Sequence, residues 1–230
     1  MSKDLTVLYE DNHLLVVNKS AGVLVQGDST GDEPLVEMAK VYLGKKYKKP
    51  GAVFLGVVHR IDRPVSGVVV FARTSKSLER MNALFRNKET KKTYWAIVSN
   101  PPEKEEDTLV HWLIKDEKKN KTTAYKRENP KGQRSELKYK VIARSGENFL
   151  LEVSPVTGRP HQIRVQLASI GCPILGDLKY GASTPMEDAS IALHARQLEF
   201  VHPVKKEKLT IQAALPRNPI WAAFTFPYRA

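Results

Sequence analysis

The chain has 230 residues, a length that fits one large domain or two small ones. Hydrophobic residues make up 41% of the sequence and aromatic residues 8%, which is enough for a sizeable core and excludes a wholly disordered protein. Lysine and arginine total 37 against 25 aspartates and glutamates, and the resulting net charge of +12 favours a polyanionic partner, above all nucleic acid.

The same sequence argues against a membrane protein, a disulfide-bonded protein and a metalloprotein. No apolar run approaches the roughly 18 residues of a membrane-spanning helix, and the N-terminus has no cationic-then-apolar signal segment. Cys172 is the single cysteine, which excludes an intramolecular disulfide and a cysteine-based zinc site. The six histidines show no ligand spacing, so we expect no metal. We therefore expect a cytoplasmic protein without a membrane partner. A monomer is expected as well, separately from these features.

Taken in chain order, the first half of the sequence mixes predicted strands with two predicted helices. Residues 5–10 and 14–18 are β-rich on either side of a polar turn. Apolar residues at helical spacing predict a helix over about 34–43, with Thr30 and Glu33 spaced as a capping box before it. Further along, strands are expected at 53–59, 67–72 and 92–98, and a helix at 75–87.

The second half predicts hairpins around one further helix. An acidic loop at 103–107 precedes a basic segment, Lys115 to Lys140, with ten basic and four acidic residues. We interpret this segment as a surface that follows nucleic-acid phosphates; a solvated face that keeps the protein soluble is the alternative. A helix is expected from about Pro160 to Gly171, with proline at its front and glycine at its end. The remaining strands are expected at 137–142, 149–153, 191–200 and 208–214, with a loop at 182–190.

Helices scattered among hairpins favour an α+β class over a regular βαβ alternation. No repeat and no clear linker divides the sequence, so residues 1–230 are expected to form a single domain. Two shorter basic runs, at 45–49 and 86–92, add to the positive charge, and solvated faces are again the alternative to nucleic-acid contacts.

The nonapeptide from His59 to Gly67 carries the first candidate site. It places Asp62 between Arg60 and Arg63 in a polar turn between two apolar runs, where rigid scaffolds present reactive groups. Positive charge nearby favours an ionised carboxyl, so Asp62 is a candidate nucleophile or charge stabiliser and a poor general acid. A turn aspartate that pairs with a surface arginine is the alternative.

A second candidate site is the block Thr157–Leu167. His161, Gln162 and Arg164 fall at the N-terminal end of the predicted helix, and Arg159 directly precedes it. Exposed amides and two arginines would make this helix end an anion site. A well-capped basic surface helix is the alternative.

Four motifs occur in order along the chain: His59-Arg60-Ile61-Asp62 with Ser66-Gly67, Lys92-Thr93-Tyr94, Thr157-Gly158-Arg159-Pro160-His161-Gln162-Ile163-Arg164, and Pro173-Ile174-Leu175-Gly176-Asp177 with Tyr180-Gly181. Together they resemble the motifs of the RluA-type pseudouridine synthase family, which isomerises uridine in ribosomal or transfer RNA. The resemblance runs from about Leu5 to Leu215 and so covers nearly all of the chain.

The resemblance implies a pseudouridine synthase fold, in which a long, mostly antiparallel, bifurcated mixed sheet is flanked by helices and loops around a central active-site cleft. It implies that Asp62 is the catalytic aspartate, that Tyr94 stacks on the target base, and that Arg164 pairs with Asp62. It also implies ribosomal or transfer RNA as the partner, with no metal and no organic cofactor. The expected RNA-binding residues are Arg60, which enters the space left by the flipped nucleotide in some members, and Arg63, Arg159, His161 and Gln162.

The chain departs from the family pattern at two points. Val65 stands where the family usually has threonine, which alters local turn hydrogen bonding but removes no assigned catalytic group. The chain also begins almost directly with the catalytic core, so we expect no separate N-terminal RNA-binding module. This second departure bears on substrate choice more than on chemistry.

Uridine isomerisation breaks the glycosidic bond, turns the base and joins the sugar to carbon 5, without net redox change or hydrolysis. An ionised carboxylate could attack the anomeric carbon or remove the 2′ proton to give a glycal, and the sequence leaves both routes open. The alternative function is a non-catalytic RNA-binding or ribosome-assembly protein. A metal-dependent nuclease would need a carboxylate cluster, and Asp62 has no acidic neighbour nearby in sequence.

Overall fold

The computed structural model describes residues 5–224 of the chain, and these residues group into two compact units. Of the described residues, unit 1 contains 5–92 together with Ala195–Ala214. Unit 2 contains Thr93–His194 and residues 215–224. Each unit is thus built from two segments of chain, and the expectation of one catalytic domain stays a prediction.

Eleven strands and four α-helices are present among the described residues, which confirms the predicted α+β class. The strands are β1 (Thr6–Glu10), β2 (Leu14–Lys19), β3 (Gly56–Val57), β4 (Ser66–Ala72), β5 (Lys91–Val98), β6 (Glu106–Asp116), β7 (Lys121–Tyr125), β8 (Gln133–Ser145), β9 (Asn148–Pro155), β10 (Leu193–Val201) and β11 (Lys208–Gln212). The helices are α1 (Leu35–Lys46), α2 (Ser75–Arg86), α3 (Gln162–Ser169) and α4 (Pro219–Ala222), with a short 3-10 helix at Leu178–Tyr180. Within residues 5–224, no helix has both the length and the apolar character needed to cross a membrane.

Unit 1 is organised around β4, every residue of which is buried. Its valine-rich sequence suits a strand that is covered on both faces. β4 pairs antiparallel with β2 and β3 and also neighbours β10, so the sheet forks at β4 in agreement with the predicted bifurcation. β1 pairs with β2, and β11 with β10. Met81 of α2 is fully buried in a core cluster with Val70 and Leu198, which fixes α2 against this sheet.

Unit 2 contains an antiparallel ladder in the order β5-β9-β8-β6-β7. In β8, Ser135, Leu137 and Tyr139 are buried at every second position, the period expected of a strand with one covered face. Helix α3 is buried along its first six residues, Gln162–Leu167, including its polar side chains. The polar groups of α3 therefore need partners inside the unit.

Most predicted elements are confirmed, with boundaries shifted by a few residues. The strand predicted at 53–59 is wrong except for Gly56–Val57, which pair with β4. Gly56 also lies against Leu78 of α2, and Val58 packs against the core cluster that contains Met81. The predicted capping box is also wrong: the Thr30 hydroxyl donates to Asp28 in a preceding turn, and α1 begins after Pro34 without a side-chain cap. Helix α4 was not predicted.

Candidate active site

The Asp62 turn lies in unit 1 and is constrained by backbone hydrogen bonds. The amide of Val65 donates to the carbonyl of Asp62 at 3.0 Å, which closes the turn directly before β4. The carbonyl of Arg63 accepts from the amide of Gly22 at 2.8 Å, so the turn is also tied to the loop after β2. A carboxylate on so constrained a turn needs little reorganisation to meet a substrate.

Lys19, the last residue of β2, secures the turn from inside unit 1. Its side chain is fully buried, and Nζ donates to the carbonyls of Ser20 at 3.0 Å, Val23 at 2.7 Å and Arg63 at 3.1 Å. A buried ammonium is costly unless its donors are hydrogen-bonded, and these carbonyls supply three acceptors. Sequence reasoning missed Lys19, although a lysine at the end of an otherwise apolar strand was a signal for it.

The two arginines beside Asp62 have different surroundings. Arg60 is exposed. Arg63 pairs with Asp32 through Nη2 at 2.7 Å and donates from Nε to the carbonyl of Gly22 at 3.1 Å. Both partners of this pair are exposed, so the pair adds little stability and leaves the arginine accessible to solvent. The RNA-binding roles of Arg60 and Arg63 stay predictions.

His59, at the start of the same motif, acts as a fixed hydrogen-bond acceptor. Nε2 accepts from the amide of Val70 at 3.2 Å, and the ring stacks on Phe85 with the centroids 4.9 Å apart. Burial, assisted by the positive charge of Lys92, lowers the pKa of His59 to about 3. The imidazole is therefore neutral near pH 7, as its acceptor role requires.

The glycine that ends the motif is sterically required. Gly67 has φ of 117°, a backbone conformation that L side chains rarely adopt. A Cβ at this position would lie 2.3 Å from the carbonyl oxygen of Ala195 in β10. The close approach of β4 and β10, directly after the Asp62 turn, therefore depends on the missing side chain.

Tyr94 lies on β5 in unit 2, opposite Val153 of β9. Its side chain is half-buried, whereas its neighbours Thr93 and Ala96 are buried. A partly accessible aromatic ring on a rigid strand suits the stacking role that the resemblance implies. That role stays a prediction.

Arg164 of α3 is held by a bidentate ion pair inside unit 2. Nε donates to one carboxylate oxygen of Asp177 at 2.7 Å and Nη2 to the other at 2.9 Å. The Arg164 and Asp177 side chains are only 7% and 1% exposed, so water competes little for the pair. The guanidinium also lies over the ring of Tyr180, 5.1 Å from its centroid. Together these contacts fix the orientation of the guanidinium.

Tyr180 connects this ion pair to the start of α3. Its hydroxyl oxygen accepts from the amide of Thr122 at 2.8 Å and lies 2.7 Å from Nδ1 of His161. Burial raises the pKa of Tyr180, and the hydrogen bonds from Thr122 lower it in part. The phenol keeps its proton near neutral pH and can donate it to the imidazole. His161 adopts a left-handed φ of 55°, and these contacts hold it there.

Gln162 is buried and ties the loop before α3 to β8. Its Oε1 accepts from the Thr157 hydroxyl at 2.7 Å and the Arg159 amide at 3.0 Å, while Nε2 donates to the carbonyl of Glu136 at 3.0 Å. Arg159 itself is exposed. The start of α3 is therefore more enclosed than the sequence predicted, because Gln162 and Arg164 both face protein partners. RNA binding by Arg159, His161 and Gln162 stays a prediction.

In unit 2, Tyr180 thus contacts both His161 and Arg164, whereas Gln162 has separate partners in the loop before α3 and in β8. Asp62, Arg60 and Arg63 belong to unit 1. Sequence reasoning missed the part played by Asp177 and Tyr180 in these contacts. The signal was present, because both residues fall in the fourth motif, but no role was assigned to them. The predicted pairing of Asp62 with Arg164 stays a prediction.

Comparison with known proteins identifies one family. The sequence profile described as RNA pseudouridylate synthase matches residues 13–169. The Vibrio cholerae protein named Ribosomal large subunit pseudouridine synthase C is 35% identical over 215 residues, which cover 91% of this chain and 65% of that relative. The Bacillus subtilis protein named Uncharacterized RNA pseudouridine synthase YhcT is 32% identical, over 94% of this chain and 70% of its own length. The chain thus spans 65% of the length of the Vibrio protein, which is less than two thirds, and 70% of the length of the Bacillus protein.

Solved structures agree with the predicted fold. The structure titled Human RNA Pseudouridylate Synthase Domain Containing 4 superposes with a TM-score of 0.78 at 25% identity, covering 95% of this chain and 90% of that one. Human RNA Pseudouridylate Synthase Domain Containing 1 superposes with a TM-score of 0.75 at 23% identity, covering 97% and 89%. Both likenesses confirm the pseudouridine synthase fold.

Proposed function

This chain belongs to the RNA pseudouridylate synthase family, and we propose that it isomerises uridine in RNA to pseudouridine. The observation that carries the proposal is the family match, because the matched region contains Asp62, Tyr94 and Arg164 together. The constrained Asp62 turn and the oriented Arg164 guanidinium support it, since catalysis of this kind depends on preorganised charge. Residues 1–230 are proposed to act as one catalytic domain.

The proposed reaction breaks the bond between C1′ and N1 and forms a bond between C1′ and C5 of the same base. C5 loses its proton and N1 gains one, so the isomerisation balances without an oxidant, a reductant or water. Asp62 is proposed to start the reaction through its ionised carboxylate, either by attack on C1′ or by removal of the 2′ proton. We propose no metal and no organic cofactor.

The target uridine is proposed to leave the base stack before it reacts. Extrusion of a nucleotide costs a few kcal/mol, and stacking of the base on Tyr94 would return roughly 1–3 kcal/mol. Arg164 is proposed to stabilise the charge of Asp62, and its buried pair with Asp177 supports this role because the pair orients the guanidinium. Asp177 and Tyr180 are then positioning residues that act through Arg164.

RNA contacts are proposed for Arg60, Arg63, Arg159 and His161, with Gln162 holding the loop that carries Arg159. The basic segment from Lys115 to Lys140 is proposed to follow the phosphate backbone. The names of the Vibrio relative and of similar bacterial proteins favour the large ribosomal subunit RNA as the substrate, with transfer RNA as the other candidate. We propose that the protein works in the cytoplasm and that its active form is a monomer.

The experiment that tests the proposal uses RNA labelled with tritium at C5 of uracil. Total RNA is prepared from cells that lack this protein and were grown with the labelled uridine, so that the target uridine is unmodified. Purified protein should release tritium to water, because C5 must lose its hydrogen when the new bond forms. Mapping of pseudouridine in the treated RNA then identifies the position. RNA binding without tritium release would contradict the proposal and favour the non-catalytic alternative.

A further inference from the structure

The C-terminal end of α1 forms an exposed basic surface that the proposed chemistry does not use. Every residue from Lys45 to Ala52 is exposed. Of the seven large hydrophobic side chains that are exposed among residues 5–224, three fall in this region of unit 1: Val41 at 50%, Tyr47 at 45% and Phe54 at 51%. Positive charge and exposed apolar surface thus occur together here. We define the α1-end surface as Lys45, Lys48, Lys49 and Phe54.

The charge of this surface is largely uncompensated by neighbouring acids. Lys40 pairs with Glu37 at 2.7 Å, and Lys46 pairs with Glu10 at 2.7 Å. Within the described part of the chain, no ion pair engages the three lysines of the α1-end surface. Three lysines within five residues of chain, without acidic partners in ion pairs, attract a polyanion and release counterions when one binds.

Lys48 occupies a position where glycine is usually found. It follows the C-cap Tyr47 and has a left-handed φ of 46°, which the bond from its amide to the carbonyl of Lys45 helps to hold. At this position after a helix, glycine avoids the steric penalty that a Cβ incurs. A lysine here therefore costs stability relative to glycine, so helix stability alone does not favour lysine at this position.

The segment that carries Phe54 lies beside the C-terminal end of α1. The carbonyl of Gly44 accepts from the amide of Lys49 at 3.1 Å, and a Cβ on Gly44 would lie 3.6 Å from Cγ2 of Val53. The segment after α1 thus folds back along the helix, and Leu55, the next residue, is buried. Phe54 is 51% exposed and follows Val53, which lies beside Gly44, the residue directly before Lys45.

We propose that the α1-end surface is a second RNA contact, in which the three lysines bind backbone phosphates and Phe54 stacks on an unpaired base. This inference rests on the proposed function, because RNA is the partner that the family acts on. Lysines around an exposed aromatic ring are the combination that single-stranded RNA requires, since phosphates need cations and bases need a π-surface. A surface that serves only helix stability would place lysines near the C-terminal carbonyls but would not require Phe54 or a strained Lys48.

The test is RNA binding by the full chain, measured by fluorescence anisotropy with a fluorescein-labelled oligouridylate of about 30 nucleotides, which is longer than one site of roughly 4–16 nucleotides. Affinity is measured from about 50 to 200 mM salt. Lys48→Gly should lower the magnitude of the slope of log affinity against log salt by about 0.7, the value for one phosphate contact on a single strand. Phe54→Ala should weaken binding about fivefold or more at every salt concentration.

Thermal unfolding separates this role from a structural one. Lys48→Gly should keep or raise the Tm, because glycine relieves the left-handed strain, whereas a lysine needed only for helix stability would lower the Tm when removed. Lys206→Gly is the matched control: Lys206 also has a positive φ, of 63°, but lies in the turn between β10 and β11 beside Glu207. Wild-type RNA binding by Lys48→Gly, or an equal loss in Lys206→Gly, would overturn the proposal.

Failure of the proposed function gives a different result. RNA binding requires no turnover, so a chain that binds through the α1-end surface but releases no tritium would refute the isomerase and leave this contact standing. A chain that isomerises uridine, while Lys48→Gly and Phe54→Ala bind the oligouridylate as the wild type does, would refute only the contact.

Discussion

Replacing Asp177 with alanine should destabilise the protein strongly, because it leaves the buried guanidinium of Arg164 without its bidentate partner. The two hydrogen bonds measure 2.7 and 2.9 Å, and the paired side chains are 7% and 1% exposed. Removal of one partner of a buried ion pair costs about 3–5 kcal/mol, since the remaining charge stays out of water. For a chain of this length about 1 kcal/mol lowers the Tm by roughly 2–4 °C, so we expect a fall of roughly 6–20 °C.

The assay is thermal and urea unfolding of a double-mutant cycle. Arg164→Met removes the charge but keeps an extended apolar side chain, so the double variant Asp177→Ala with Arg164→Met should be more stable than Asp177→Ala alone. We expect a coupling energy of about 2 kcal/mol or more. Glu147→Ala, which removes an exposed carboxylate from the turn between β8 and β9, is the control and should change little. Additive single effects, or an Asp177→Ala Tm within a degree or so of wild type, would refute the reasoning.

Three further predictions concern pH, packing and metal. The pKa of His59 is about 3 in the folded protein, below its unfolded value, so proton binding favours the unfolded state. The free energy of unfolding should therefore fall as the pH drops from about 6.5 toward 3, by roughly 1.4 kcal/mol per pH unit. His59→Gln, whose amide oxygen can still accept from Val70, should show a shallower pH dependence in urea unfolding; an unchanged slope would contradict the assignment. Gly67→Ala should lower the free energy of unfolding by about 3 kcal/mol or more, since its Cβ would meet the backbone of Ala195. Gly51→Ala, which has open space around its Cβ, is the control and should not lower it. Equal stability of the two variants would exclude the steric argument. Tritium release should persist in excess EDTA, because the isomerisation needs no Lewis acid; loss of release that added metal restores would count against the mechanism.

The architecture of the fold was largely predictable from local sequence pattern. The alternating burial of β8 and the apolar runs of β2 and β4 each have a strong periodic or compositional signal. The segment 53–59 failed because an apolar run of this length fits a strand and a packed loop equally well. Which of the two forms depends on tertiary packing, here against Leu78 of α2 and the core cluster around Met81, and local sequence does not contain that information.

The candidate site was predictable as a set of motifs but not as a set of contacts. Asp62 and Arg164 stand out because charged residues interrupt apolar surroundings, and family resemblance assigned their roles. No role was assigned to Lys19, because its partners are backbone carbonyls, which a linear pattern does not reveal. No role was assigned to Asp177 either, because its partner Arg164 lies 13 positions away in sequence. The role of Gln162 likewise depends on β8, which lies far from it in sequence.

The central claim is that the carboxylate of Asp62 acts on the sugar of a uridine in RNA. It is tested most directly by Asp62→Asn under single-turnover conditions, with the protein in excess over C5-tritiated RNA. Asparagine keeps the size of the side chain but removes its charge, so we expect unchanged RNA binding and Tm with tritium release slowed by about a thousandfold or more. Release at the wild-type rate from a folded, RNA-bound Asp62→Asn variant would contradict the claim.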